Sequence, residues 1–170
     1  MIIKSDWEFG VLNVYNYKQS GKLDGYFDFI RNNHTNIEGD ICEVGVYRGS
    51  SIIATALLLK ELNSNKKVYG FDSFSGFPSY HENDNHFKFE ELFREDKISE
   101  KQYQDYLLNV DHKEFMIGKS VSSSTISTSA DFSETSLSFL EKKIEYLELD
   151  NIILVDGDYK STMTNKVYEN

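Results

Sequence analysis

Asp40-Ile41-Cys42-Glu43-Val44-Gly45-Val46-Tyr47-Arg48-Gly49-Ser50-Ser51 is the stretch on which the fold of this chain turns. Residues 40–46 read as a short buried strand ended by glycine. Gly49-Ser50-Ser51 then opens a helix with a serine as its expected cap. The run from Ile52 to Leu62 is apolar nearly all round, the pattern of a helix packed on a sheet. Asn63-Ser64-Asn65 breaks it. Residues 67–71 give a second strand, and Asp72-Ser73-Phe74-Ser75-Gly76-Phe77-Pro78 the turn after it.

Upstream, Leu23, Tyr26, Phe27 and Ile30 fall at i, i+3, i+4 and i+7, one stripe of an amphipathic helix over 22–32. A polar stretch to Gly39 ends it, and residues 1–20 have weak periodicity. Downstream, residues 79–113 are charged and aromatic. Phe87, Phe89, Leu92, Phe93, Ile98, Tyr103, Tyr106 and Leu107 suggest one or two short helices there. Ser120 to Ser129 is mostly serine and threonine and reads as an exposed loop. Leu137, Leu140, Ile144 and Leu147 give a helical stripe over 134–148, with Ser133 or Thr135 as the expected cap. Residues 151–155 form a third apolar strand, ended by Asp156-Gly157-Asp158.

Strands alternating with helices predict a parallel sheet with right-handed crossovers. The fold class is therefore α/β, a Rossmann-like doubly wound parallel sheet that stops after its third strand. The expected organisation is an N-terminal helical segment over 1–37 and a Rossmann-like half-domain over 38–170, with a helical insert at about 79–113.

Composition bounds the partners. The 170 residues fit one domain. At 39% hydrophobic and 14% aromatic, the chain can fill a core and does not read as disordered. Its formal charge of −10 repels phosphate backbones, and Lys66-Lys67 and Lys142-Lys143 are only doublets, so nucleic acid is a poor partner. The single Cys42 excludes an internal disulfide framework and fits a reducing compartment. The N-terminus lacks the pattern of a signal peptide, and no window approaches the ~20 apolar residues that span a bilayer. A cytoplasmic protein without a membrane partner is expected.

Three turns carry the chemistry. Gly45, ending the first strand, lets a ligand approach the backbone. Gly49 stands where a helix's free N–H groups favour an anionic group, and Ser50 and Ser51 add hydroxyl donors. Glu43 at the strand's carboxyl end could accept from a ligand ammonium. The pattern is neither G-x-G-x-x-G nor a P-loop, and a plain strand–turn–helix with structural glycines carries the same residues. Asp72, after the second strand, could accept from both ribose hydroxyls; a helix N-cap or loop aspartate is the alternative. Asp158, after the third strand, could accept from an adenine amino group, or be part of a turn built on Asp-Gly-Asp. All three turns would lie side by side on one edge of the sheet.

Glu43-Val44-Gly45-Val46-Tyr47-Arg48-Gly49-Ser50-Ser51, with Val68-Tyr69-Gly70-Phe71-Asp72-Ser73-Phe74-Ser75-Gly76-Phe77-Pro78, resembles the macrocin O-methyltransferase family (TylF/MycF type). Phe132-Ser133-Glu134-Thr135-Ser136 and Gly157-Asp158-Tyr159-Lys160-Ser161-Thr162-Met163 are similar to that family's third unit. The resemblance implies S-adenosyl-L-methionine as methyl donor and O-methylation of a sugar-like or other small-molecule hydroxyl. It implies Glu43 and Gly45 near the donor's methionine end, Asp72 on its ribose and Asp158 near its adenine. Tyr47, Arg48, Gly49, Ser50 and Ser51 in the first turn, Ser73 and Phe74 in the second, and Gly157 in the third complete the expected cofactor contacts. The family's fourth-strand motif, D-x-D-x-Y-x-S-T, supplies magnesium ligands, and residues 156–163 imitate it. Counting units from the glycine turn puts them on the third strand instead, which favours adenine contact; miscounting would make Asp156 and Asp158 metal candidates. Mg2+ is thus implied for a complete protein, with no metal ligand assigned here.

Methyl transfer needs its two reactants oriented and a base for the acceptor hydroxyl. None is assigned: His34, His81, His86 and His112 read as surface residues, with His81 and His86 placed to border an acceptor site. The insert is expected to be a lid or a homo-oligomer contact, with a solvated helical pair as the alternative. In such sheets the ligand crevice lies between the first and fourth strands. Without the fourth, the first strand would be an apolar edge, which leads to the expectation of a fragment or a truncation needing a partner. Two other functions fit less closely: a nucleotide- or NAD-binding domain of another enzyme class, and a non-catalytic, partner-binding module.

Overall fold

The apolar run after the glycine turn becomes helix α3 (Ser50–Glu61), in which every residue from Ile52 to Leu59 is buried. Burying side chains of this size contributes about 1.5–3 kcal/mol each, so this helix organises the domain. The computed structural model describes residues 3–77, 88–121 and 135–163. His81, His86, Pro78, residues 122–129 and residues 132–134 lie outside the described residues.

Three strands flank the helix in sequence and pair beside it in space. They are β1 (Ile41–Val44), β2 (Val68–Asp72) and β3 (Ile152–Asp156), parallel and in the order β1-β2-β3. Val44 pairs with Phe71 and Phe71 with Val155, so the strands end at one level. Strands two and three sit one residue later than the pattern predicts, so Asp72 and Asp156 close the ladder as paired residues rather than following it. Gly70 is where α3 meets the sheet: a Cβ there would stand 2.5 Å from Ile52 Cδ1 and 2.7 Å from Val46 Cγ2.

The N-terminal segment joins the same core. Helix α1 (Trp7–Val11) contributes Phe9, and α2 (Asp24–Asn33) contributes Phe27 and Ile30. Glu8 accepts from the backbone N–H groups of Lys4 and Ser5, both at 3.0 Å. Tyr15 N–H donates to Ser50 O at 3.1 Å, tying this segment to the first turn of α3. Tyr26 and the fully buried Thr55 share a hydrogen bond of 2.9 Å.

Helix α6 (Leu137–Tyr146) supplies Leu140, buried against the start of α3, and the short α7 (Tyr159–Thr162) follows β3. Two expected caps are corrected. Gly49 caps α3 in a left-handed conformation (φ 77°) with no side-chain bond, so no serine caps it. Ser136, rather than Thr135, caps α6 by accepting from Phe139 N–H, because it is Ser136 that takes the extended backbone a cap requires.

Residues 76–133 form a separate compact unit. Its described part is α4 (Lys88–Arg94) and α5 (Glu100–Ile117). A reciprocal capping box between Ser99 and Gln102 starts α5, and Gly118 stops it four residues past the expected end of the insert. Phe89 stacks on Tyr106 at 4.5 Å and Phe93 on Tyr103 at 4.4 Å. No residue of either helix is buried.

A Cβ on Gly49 would lie 2.2 Å from Leu140 Cδ1 and would also oppose the left-handed backbone. Gly49→Ala should cost about 2–4 kcal/mol, read as a lower urea midpoint at unchanged slope. Gly10→Ala, in helix α1 with open space around it, should be neutral or stabilise by up to about 1 kcal/mol.

Candidate functional site

The carboxyl ends of the three strands make one continuous rim. Gly45 N–H donates to Phe71 O at 2.9 Å, carrying the β1–β2 ladder one residue past the strand. The chain then turns through Gly45 (φ 86°), Tyr47 (φ 52°) and Gly49 (φ 77°), all in the left-handed region. Such a conformation costs a tyrosine about 1–2 kcal/mol and needs an external hold. Asp72 provides it. Its Oδ2 accepts from Tyr47 N–H and its Oδ1 from Phe74 N–H, each at 2.8 Å. Its backbone carbonyl accepts from Gly157 N–H at 2.9 Å. One residue thus fastens all three turns.

A second brace comes from α6. Thr135 Oγ1 donates to Tyr47 O at 2.6 Å, and Lys143 Nζ donates to Arg48 O at 3.2 Å. Neither residue was singled out as functional from the sequence. Lys143 carried a signal: it lies three residues after Leu140, on the apolar stripe, and it is buried.

Gly45 differs from its neighbours. An added Cβ there would meet nothing within 4 Å, whereas one at Gly157 would stand 2.8 Å from Thr162 Cγ2. Gly45 therefore presents bare backbone to open space, the condition for close approach of a ligand. Beside it, Glu43 Oε1 accepts from Ser51 Oγ at 2.7 Å. Burial pushes the Glu43 carboxyl up; the Ser51 bond opposes this and the nearby Asp72 charge adds to it.

The remaining expected residues are placed as follows. Ser50 is the first residue of α3 and takes Tyr15 N–H on its carbonyl. The Arg48 guanidinium lies over the Tyr47 ring at 5.1 Å. Ser73 follows β2 directly. Phe74 buries its ring in the core cluster and offers the rim its backbone. Asp158 caps α7, its Oδ1 accepting from Lys160 N–H at 2.9 Å. The strand before it pairs with β2, so residues 156–158 do stand on the third strand. His34 lines a groove at the opposite, amino end of the strands, and His112 is exposed on α5.

Among the described residues, no three His, Cys, Asp or Glu side chains group so as to hold a metal ion. No helix of the described residues is long and apolar enough to cross a membrane.

A βαβαβ sheet with a left-handed glycine turn and an acid at the next strand end defines an open parallel α/β domain, a class in which ligands generally bind outside the carboxyl ends of the strands. The family described as macrocin-O-methyltransferase (TylF) matches residues 22–128, and this chain belongs to that family. Among solved structures, the O-methyltransferase NovP is similar at 18% sequence identity and a TM-score of 0.47. The match covers 82% of this chain and 48% of that one, so this chain spans about half the length of the solved structure it matches. No curated protein matches the chain.

Because the folded Glu43 carboxyl binds its proton more tightly than an unfolded one, it stabilises the fold below the ordinary glutamate range. That contribution is lost as pH rises from the unfolded value through the raised folded one. The stability of Glu43→Gln relative to the native chain should therefore increase over that pH interval and level off above it. Urea midpoints at a series of pH values, each as a difference between the two proteins, measure this.

Proposed function

We propose that this chain is the cofactor-binding part of an S-adenosyl-L-methionine-dependent O-methyltransferase acting on a small-molecule hydroxyl, sugar-like in kind. One observation carries the reading: Asp72 joins the three turns at a single rim, its carboxylate accepting from Tyr47 N–H of the glycine turn and its carbonyl from Gly157 N–H, with bare backbone at Gly45 facing open space. Family membership points the same way.

The donor, when bound, supplies an electrophilic methyl group on its sulfonium, and the protein's part is to hold and orient it. The residues suit that task. Glu43 is half-buried and its charged form is disfavoured as it stands, so an arriving ammonium would find a carboxylate lacking a cation partner among the described residues. Ser51 keeps that carboxylate aimed. Asp72 has both oxygens fixed by backbone N–H groups, and each retains a lone pair for a ribose hydroxyl. Asp158 uses Oδ1 for its helix, leaving Oδ2 for an adenine amino group, with Gly157 beside it. Tyr47, Arg48, Gly49, Ser50, Ser73 and Phe74 shape the two turns around these acids. Asp72 thus acts on the ligand and, through Tyr47, on the turn that receives it.

The reading extends to setting and partners. The protein works in the cytoplasm, which its exposed, unpaired Cys42 suits. With a net charge of −10 it takes small molecules rather than nucleic acid. The helical unit serves a homo-oligomer contact, for which Phe115 and Met116, 86% and 78% exposed, supply apolar surface. Magnesium, if used by a complete protein, draws on ligands other than a set grouped among the described residues, and no step is routed through it.

Titration calorimetry with S-adenosylhomocysteine tests the assignment on this chain. Saturable binding is expected, and Asp72→Asn should weaken it at least tenfold. The same substitution leaves a backbone N–H without its carboxylate, which costs about 1–3 kcal/mol of stability. Measuring at a temperature where both proteins are folded separates the two effects. Tight binding of NAD with none of S-adenosylhomocysteine would overturn the assignment.

A further inference from the structure

Behind the glycine turn, on its α6 side, lies a cleft of about 320 Å3 whose lining shares only Arg48 with the residues proposed for the donor site. That volume is at the lower end for small-molecule sites. Lys143 and Phe139 of α6 form one wall, and Arg48 with the chain at Val11 and Leu12 forms the other. Most of the exposed lining is apolar, and its polar residues are Lys143, Arg48, Asn13, Thr135 and Ser136.

Lys143 is the unusual member. It is 6% exposed, and its ammonium touches only the Arg48 carbonyl at 3.2 Å and the Phe139 ring at 5.2 Å. Among the described residues no carboxylate is within ion-pair distance of it. Proteins rarely bury a lysine ammonium without a counter-ion, because the lost hydration is not replaced. Burial first, and then the Arg48 charge, push its pKa down, so the site as it stands disfavours its own charge. An anion beside the ammonium would oppose both effects by favouring its charged form.

We propose that this cleft binds a small organic anion, a carboxylate or phosphate carried on an apolar body, with Lys143 as the anchoring cation. The anionic head meets the Lys143 ammonium on the side that Arg48 also lines. The apolar body lies along Phe139 and Leu12. The apolar body follows from Val11, Leu12, Phe139 and Leu140, whose surface in the cleft a bare inorganic ion would leave uncovered. The occupant also reaches the braces of the cofactor turn, since Lys143 holds the Arg48 carbonyl and Thr135 the Tyr47 carbonyl. The inference does not depend on methyl transfer.

Calorimetry on the native chain with phenyl phosphate, inorganic phosphate and benzyl alcohol tests it. Phenyl phosphate should bind at least tenfold more tightly than inorganic phosphate, and benzyl alcohol should give no saturable heat. Lys143→Met should reduce phenyl phosphate affinity at least tenfold. Val11→Asp, at a lining position 70% exposed, sets a negative charge at the mouth without disturbing the core and should weaken binding at least fivefold. Absence of phenyl phosphate binding, or equal binding by both variants, would overturn the proposal. So would displacement of phenyl phosphate by S-adenosylhomocysteine, which would merge the cleft with the donor site. Failure of the donor assignment alone would leave these results unchanged.

Discussion

The Asp72 carboxylate is the fastening on which the rim depends. A turn that passes three residues through left-handed backbone angles, one of them a tyrosine, is not stable on its own. Two charge-assisted bonds from one side chain hold Tyr47 and Phe74, and the same residue's carbonyl holds Gly157. Such bonds contribute about 1.5–3 kcal/mol each, comparable with the strain they offset. The sheet makes this possible. In-register parallel pairing brings Val44, Phe71 and Val155 level, so the residues after each strand emerge within hydrogen-bonding reach of their neighbours.

Under the rim, packing fixes the turn's other end. Gly49 can approach Leu140 only because it lacks a side chain, and Gly70 does the same for Ile52 and Val46. These two glycines serve close packing, whereas Gly45 faces space. The sequence pattern alone gives all three the same appearance. Their roles separate once the neighbours of each missing Cβ are known.

Much of the framework was legible in the residues. The apolar run from Ile52 to Leu59 marked α3, and apolar residues marked β2 and β3; β1, expected as a buried strand, instead alternates, with Cys42 and Val44 exposed and Ile41 and Glu43 partly buried, so one of its faces is uncovered among the described residues. The stripe of Leu140, Ile144 and Leu147 marked α6, which has one wet side. The acid at the end of β2 was visible as a candidate ligand group. Its use as a brace was not, since that depends on where Tyr47 N–H points once the chain has turned through left-handed Gly45. Lys143 was hidden for a related reason. A lysine beside another lysine reads as surface; its place on the apolar stripe hinted otherwise, and the contact with Arg48 shows that this one of the pair is enclosed. The cap of α6 fell on Ser136 because neighbouring serines and threonines are chemically interchangeable there and backbone geometry chooses among them, whereas α3 starts at left-handed Gly49 with no side-chain cap.

The helical unit leaves the rim just after Phe74, and the chain is again fixed at Thr135. Both points are pinned to the same few atoms: Phe74 to the Asp72 carboxylate, Thr135 to the Tyr47 carbonyl. Lengthening a segment whose two anchors are already close adds little closure entropy, about 0.6 kcal/mol for each doubling. The span between them is therefore open to evolutionary experiment. It could be swapped, enlarged or reshaped while the fastenings at Asp72 and Tyr47 stay as they are.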